Sequence, residues 1–207
     1  MSSQQSNNPE RETRILNAAS RLIVHYGYDK TTVSDIAREA GISKGAIYLH
    51  FKSKDALFEG LLSRALVQYT ERWLDLLEAD ERGGTIGAMY KNSLVALNES
   101  PFMAAMFRQD SRVLGSYIRK QDGLFKQQQE QDTRLIFVQM MQDAGTIRKD
   151  IDGAVIAHIM DMLAYGLVSM DDVKPAGRIP PLDDLLTGIA ELLDSALTPE
   201  NGDPDAG

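Results

Sequence analysis

Thr31-Thr32-Val33-Ser34-Asp35-Ile36-Ala37-Arg38-Glu39-Ala40-Gly41-Ile42-Ser43-Lys44-Gly45-Ala46-Ile47-Tyr48-Leu49-His50 is the stretch whose reading decides the fold. Thr32 suits a helix N-cap, and Asp35 stands three residues on, where a capping box places an acid. A short helix, Val33–Ala40, follows, with Val33, Ile36, Ala37 and Ala40 facing inward. Gly41 ends it in a backbone conformation that other residues resist. Ser43 caps a second short helix, Lys44 to about His50. Ala37 is small, so the two helices can cross closely, and Ile42 and Ile47 plug the core beneath. Two short helices joined by a tight turn containing Gly form a helix-turn-helix.

Upstream, a helix starts near Pro9 or Glu10 and stops before Gly27; Ile15, Ala18, Ala19, Leu22 and Ile23 give it one apolar face. Downstream, Ser53 caps a long helix that runs to about Ala79 and breaks at Asp80-Glu81-Arg82-Gly83-Gly84. Further helices are expected at 85–98, 101–120, 123–144, Ile151 to about Met170, and Leu182–Leu197, the last with a continuous Leu/Ile stripe. Lys174–Pro181 reads as a Pro/Gly loop, and residues 1–8 and 199–207 as disordered tails. The fold class is therefore all-α, with a helix-turn-helix part at 9–52 and a helical body at 53–198.

Composition narrows the function. The chain has 207 residues and a net charge of −8, divided as +1 over residues 1–60 and −9 over the remainder. An acidic body repels phosphates and favours one docking orientation for a DNA-binding end. With no cysteine, disulfides and thiol catalysis are excluded. No signal peptide or membrane-length apolar run is visible, so the chain reads as cytoplasmic with no membrane partner. There is no Gly-rich phosphate loop, no metal-spaced His set and no nucleophile beside a base, so the reading is not an enzyme and calls for no cofactor. His158 and Asp161, with Asp152 nearby, lack a further His or Cys, and no metal site is expected.

Ile15-Leu16, Ala18-Ala19, Leu22, Gly27-Tyr28, Thr31-Thr32-Val33, Ile36-Ala37, Ala40 to Gly45, Ile47-Tyr48, His50-Phe51, Ser53-Lys54 and Leu57 resemble the tetracycline-repressor (TetR) family of bacterial regulators. The match runs through three helices into a fourth and covers about the first quarter of the chain. Ile23 departs from the family's usual aromatic and Asp55 from its common Glu. The resemblance implies DNA binding in the first three helices and an effector-binding, dimerising body whose last two helices pair with a second copy.

In such proteins the second helix of the motif enters the major groove. Ser43, Lys44, Gly45 and Ala46 open that helix: Gly45 lets DNA approach the backbone, Lys44 reaches guanine acceptors or a phosphate, and Ala46 suits a thymine methyl. Tyr48 and His50 face the flanking backbone, although Tyr48 as core and His50 packed on Phe51 remain alternatives. Thr32 and Lys54 are phosphate candidates at helix starts; Thr32 also caps, and Lys52 reads as a solvated charge. The dimer interface is expected at Val155, Ile159, Leu163, Leu182, Leu185, Ile189, Leu192 and Leu193. Met103, Phe107, Phe137, Met141 and Tyr165, from a body rich in Met and aromatics, are candidates for an adaptable apolar effector pocket, against the alternative that they fill a core. Gln127-Gln128-Gln129-Glu130-Gln131 reads as a solvated helix face. The expected function is a repressor released from a near-palindromic operator in double-stranded DNA by a small apolar or aromatic effector. The alternative is a DNA-binding regulator controlled by a protein partner or co-repressor.

Overall fold

The computed structural model describes residues 9–120, 126, 132–169 and 180–199. Every regular element among them is helical. Two compact units share the chain, one formed by Met1–Val67 and Pro101–Gln127, the other by Gln68–Ser100 and Gln128–Gly207.

The first unit begins with α1 (Pro9–Tyr26), α2 (Val33–Ala40) and α3 (Lys44–His50), followed by α4 (Lys54–Ala79), whose residues up to Val67 belong here. Ile15, Leu16, Ala18, Ala19 and Ile23 of α1 are buried with Ile36 and Ala37 of α2 and Ile47 of α3. Their spacing is that of one helical face each. Gly27 (φ 87) ends α1 with its N–H on the Ile23 carbonyl at 2.8 Å, and Gly41 (φ 65) ends α2 in the left-handed region.

The helix expected over 101–120 is three pieces: α6 (Pro101–Phe107), α7 (Ser111–Leu114) and a 3₁₀ turn (Gly115–Arg119). Local geometry and tertiary docking both favour the break. Gln109 and Gly115 have positive φ (52 and 54), and the Asp110 carboxylate caps a new start on the Arg112 N–H at 2.9 Å. The Tyr28 N–H donates to Val113 O at 2.8 Å, and Asp29 accepts from the Ser116 N–H at 2.9 Å. Tyr28, Phe58, Phe102 and Tyr117 then form one aromatic cluster, with Phe58 and Tyr117 centroids 4.2 Å apart.

The second unit holds the rest of α4, then α5 (Ile86–Asn98), α8 (Thr133–Asp143), α9 (Gly153–Val168) and α10 (Leu182–Leu197). On α5, Gly87 lies so near the Ala190 carbonyl of α10 that a Cβ there would overlap it. Asp194 of α10 accepts from the Gly87 N–H at 2.6 Å and pairs with Arg82. The Tyr90 hydroxyl of α5 donates to the Met160 carbonyl of α9, and Gln142 of α8 fastens the turn into α9 through Arg148 O and Ile151 O, both at 2.9 Å. Lys126 is helical, and Asp132 caps α8 on the Leu135 N–H at 2.9 Å, so the helix expected over 123–144 is interrupted at Asp132. Phe125, Gln127–Gln131, the 1–8 tail, most of the 199–207 tail and the loop from Lys174 as far as residue 179 lie outside the described residues. No helix among the described residues is long and apolar enough to cross a membrane.

Candidate nucleic-acid interface

The candidate interface consists of α2 and α3, and local hydrogen bonds fix both. Thr32 Oγ accepts from the Asp35 N–H at 3.1 Å, and Asp35 in turn accepts from the Thr32 N–H at 3.1 Å, completing the capping box. The Thr32 hydroxyl also donates to Asp35 at 2.6 Å, and Arg38 reaches the same carboxylate at 2.7 Å. The Thr32 hydrogen bonds, and after them Arg38, hold the Asp35 carboxyl below its ordinary range. The turn closes by Ile42 N–H donating to Ala37 O at 3.0 Å, which aims α3 across α2. Ser43 Oγ then accepts from the Ala46 N–H at 3.1 Å and starts α3.

Ile47 anchors α3, and Lys44, Gly45, Tyr48 and Leu49 are presented. Ile47 is 1 % exposed, whereas Tyr48 is 45 % and Leu49 69 % exposed; Ser43, Lys44 and Gly45 are open as well, with Ala46 half-buried. The Lys44 ammonium stands 6.0 Å from the Tyr48 ring centroid. His50 is half-buried, its ring 6.4 Å from that of Phe51, and its buried Nδ1 has no hydrogen-bond partner. Leu49 was not singled out in the sequence, because an apolar residue in a short helix reads as core by default; its exposure is the missing signal.

Lys54 sits at the start of α4 with its ammonium 4.0 Å from the Tyr28 ring centroid. Burial lowers its affinity for the proton, and the charges of Asp29 and Asp55 oppose that. Asp55 accepts from the Tyr28 hydroxyl and from Lys120, and these two contacts pull its carboxyl down. Burial, and after it the same acceptor, pushes the Tyr28 phenol up. Asp55, where the family commonly has Glu, thus clasps the end of α1 to the segment that closes the first unit.

Of the other candidates, Val155, Ile159 and Leu163 are exposed on one face of α9, and Leu182 and Leu192 (71 %) on one face of α10, with Leu185 and Ile189 half-exposed. Leu193 lies elsewhere on α10. It falls on the face that carries Leu186, Ala190 and Leu197 into the protomer's own core and is 7 % exposed. The effector candidates divide: Met103 is buried and Phe107 half-buried on α6 in the first unit, while Phe137 and Met141 are half-buried on α8 in the second. Tyr165 is exposed on α9 beside Met162.

Helices α1, α2 and α3 have the architecture of a helix-turn-helix unit. Residues 15–61 match the model of the family described as "Bacterial regulatory proteins, tetR family". The HTH-type transcriptional repressor Rv1474c of Mycobacterium tuberculosis is 28% identical over 164 residues, spanning 77% of this chain and 81% of that protein. The transcriptional regulator FadR of Bacillus subtilis, solved with stearoyl-CoA, superposes with a TM-score of 0.62 at 21% identity, covering 88% of this chain and 97% of that one. AibR, solved with isovaleryl coenzyme A and operator DNA, gives 0.63 at 18%, covering 90% and 99%. The likeness to the tetR family of bacterial regulatory proteins is carried by the N-terminal segment, residues 15–61.

Proposed function

We propose that the chain is an operator-binding repressor that acts as a homodimer and leaves DNA when a small apolar or aromatic effector enters its helical body. The observation that carries the reading is the outer face of α3, where Ser43, Lys44, Gly45, Tyr48 and Leu49 are presented while Ile47 anchors the helix. A helix so presented enters the major groove with its N-terminal residues on base edges, while Lys54 and His50 serve the flanking phosphates. At Thr32 a phosphate competes with the Asp35 carboxylate for the hydroxyl, so the cap is its first role.

The apolar faces of α9 and α10 that stay exposed among the described residues support a two-fold dimer, in which the same patch on each copy meets the other. Two copies of α3 then read half-sites about one helical turn, roughly 34 Å, apart. The single helix α4 contributes residues to both units, which suits it to relay effector binding to the separation of the two α3 helices. Such coupling needs an effector that binds one state more tightly. That two proteins of this fold were solved with acyl-CoA molecules supports a ligand-binding body.

The test is binding of the purified protein to the DNA just upstream of its own gene, titrated with salt and then with a panel of apolar compounds. Tight, salt-sensitive binding to a near-palindromic site, reversed by one compound, is the expected result. Specific binding that no compound reverses would favour control by a protein partner; no specific DNA binding at any site selected from random sequence would overturn the reading.

A further inference from the structure

Four helices of the second unit bring one basic side chain into apolar company. The guanidinium of Arg134, on α8, lies over the ring of Tyr90 on α5, with Cζ 5.2 Å from the centroid. The Arg134 side chain is 20 % exposed, and Tyr90 is wholly buried with its hydroxyl committed to the Met160 carbonyl. The carboxylate partner, Asp161 of α9, is 45 % exposed and makes a single contact among the described residues, to Nε at 3.2 Å. The two η nitrogens stand outside that pair. On α4, Tyr69 shares the site: burial pushes its phenol up, and the Arg134 charge and a hydrogen bond with Ser93 draw it back.

An apolar strip continues from this point. Phe137 is one turn on from Arg134 along α8, Trp73 is one turn on from Tyr69 along α4, and the two rings meet edge to face at 6.3 Å. Both are half-buried, as is Met141 one further turn along α8, so the strip keeps accessible surface.

The asymmetry within the ion pair points to exchange. The guanidinium is fixed on a buried ring, whereas its carboxylate stands at the rim, held by one long contact that returns to water at small cost. An incoming carboxylate can take both η nitrogens in the forked geometry that a guanidinium prefers. We propose that the second unit binds an amphiphilic carboxylic acid, its carboxylate on Arg134 in place of Asp161 and its apolar tail along Phe137 and Trp73. This rests on the reading of the body as effector-binding and specifies the charged end of the effector.

Trp73 is the one tryptophan of the chain, so its emission reports on the strip directly. The full-length protein is titrated with decanoate, with 1-decanol and with decyltrimethylammonium, and operator release is measured in parallel. Decanoate is expected to bind about 10-fold or more tighter than decanol, in line with one charge-assisted pair. Arg134→Met should bring decanoate down to the level of decanol and leave decanol unchanged. Asp161→Asn removes the competing carboxylate and should tighten decanoate several-fold, a gain that a misfolded variant does not give. Equal binding of decanoate and decanol, weaker decanoate binding by Asp161→Asn, or no Trp73 response to any of the three overturns the proposal. Operator release by decanol as effective as by decanoate would remove the Arg134 anchor and leave ligand sensing standing.

Discussion

Replacing Asp80 by Asn tests how the turn between α4 and α5 is held. The Asp80 carboxylate accepts from Lys91 Nζ at 2.6 Å, Asn92 Nδ2 at 3.0 Å and the Arg82 N–H at 3.0 Å. Those contacts, Lys91 foremost, bring its carboxyl from the ordinary 3.8 down to about 2. A carboxyl lowered on folding adds stability that is complete above its unfolded value and is lost as pH falls through its folded value. At neutral pH the difference is worth at most about 2.4 kcal/mol, at about 1.36 kcal/mol per tenfold in proton affinity. The Lys91 side chain is 30% exposed, and solvent screening brings the expected figure to about 1–2 kcal/mol. Asn keeps the shape and one acceptor oxygen but loses the charge. In urea denaturation followed by circular dichroism, Asp80→Asn should therefore cost about 1–2 kcal/mol at pH 7. The gap from the parent should close between about pH 5 and about pH 2. Other carboxylates titrate in both proteins, so the difference isolates Asp80. A gap below about 0.3 kcal/mol at pH 7, or one that stays constant down to pH 3, would refute the reasoning.

Lys44→Ala should weaken operator binding and lower the slope of log affinity against log salt by about 1 if the ammonium meets a phosphate; an unchanged slope with relaxed sequence preference places it on a base instead. Ile189→Lys combined with Leu192→Glu should give monomers in sedimentation and weak operator binding, and a variant that stays dimeric moves the interface elsewhere. Gly41 and Gly27 separate two costs of a side chain. Gly41 (φ 65) has open space around it, so Gly41→Ala should cost only the left-handed strain, about 1–2 kcal/mol in thermal or urea denaturation. Gly27→Ala adds a clash with the Arg112 carbonyl and should cost clearly more; equal costs would mean that the 111–119 segment yields freely.

The helix-turn-helix was legible because its boundaries are set by chemistry within three or four residues: Thr32 with Asp35, Gly41, and Ser43 with Ala46. The α10 stripe was legible for the same reason, its period being a property of one helix. The break after Phe107 was not, because Gln109 adopts a positive φ without being a glycine and the segment answers to Tyr28 and Asp29, more than eighty residues away. Of the candidate sites, residues opening α3 could be placed from the cap alone, whereas Leu193 could not be separated from Leu192 without knowing which face meets α5. Arg134 carried no sequence signal and Asp55 only that of a departure from a common Glu, since a charged residue's role becomes visible only when Tyr90 and Asp161, or Tyr28 and Lys120, arrive beside it.

The first unit is written in two instalments, and its aromatic cluster is complete only when Tyr117 joins Tyr28 and Phe58. During synthesis the helix-turn-helix leaves the ribosome well before the segment that covers its flank. At roughly 5–20 residues per second, the stretch between Val67 and Lys120 is a wait of roughly 3–10 s. A nascent chain in that interval shows Phe58 and Tyr28 to whatever surrounds it. For the same reason, a chimaera that fuses this helix-turn-helix head to a foreign body at residue 53 inherits an open seam, and one that carries residues 101–120 along with the head closes it.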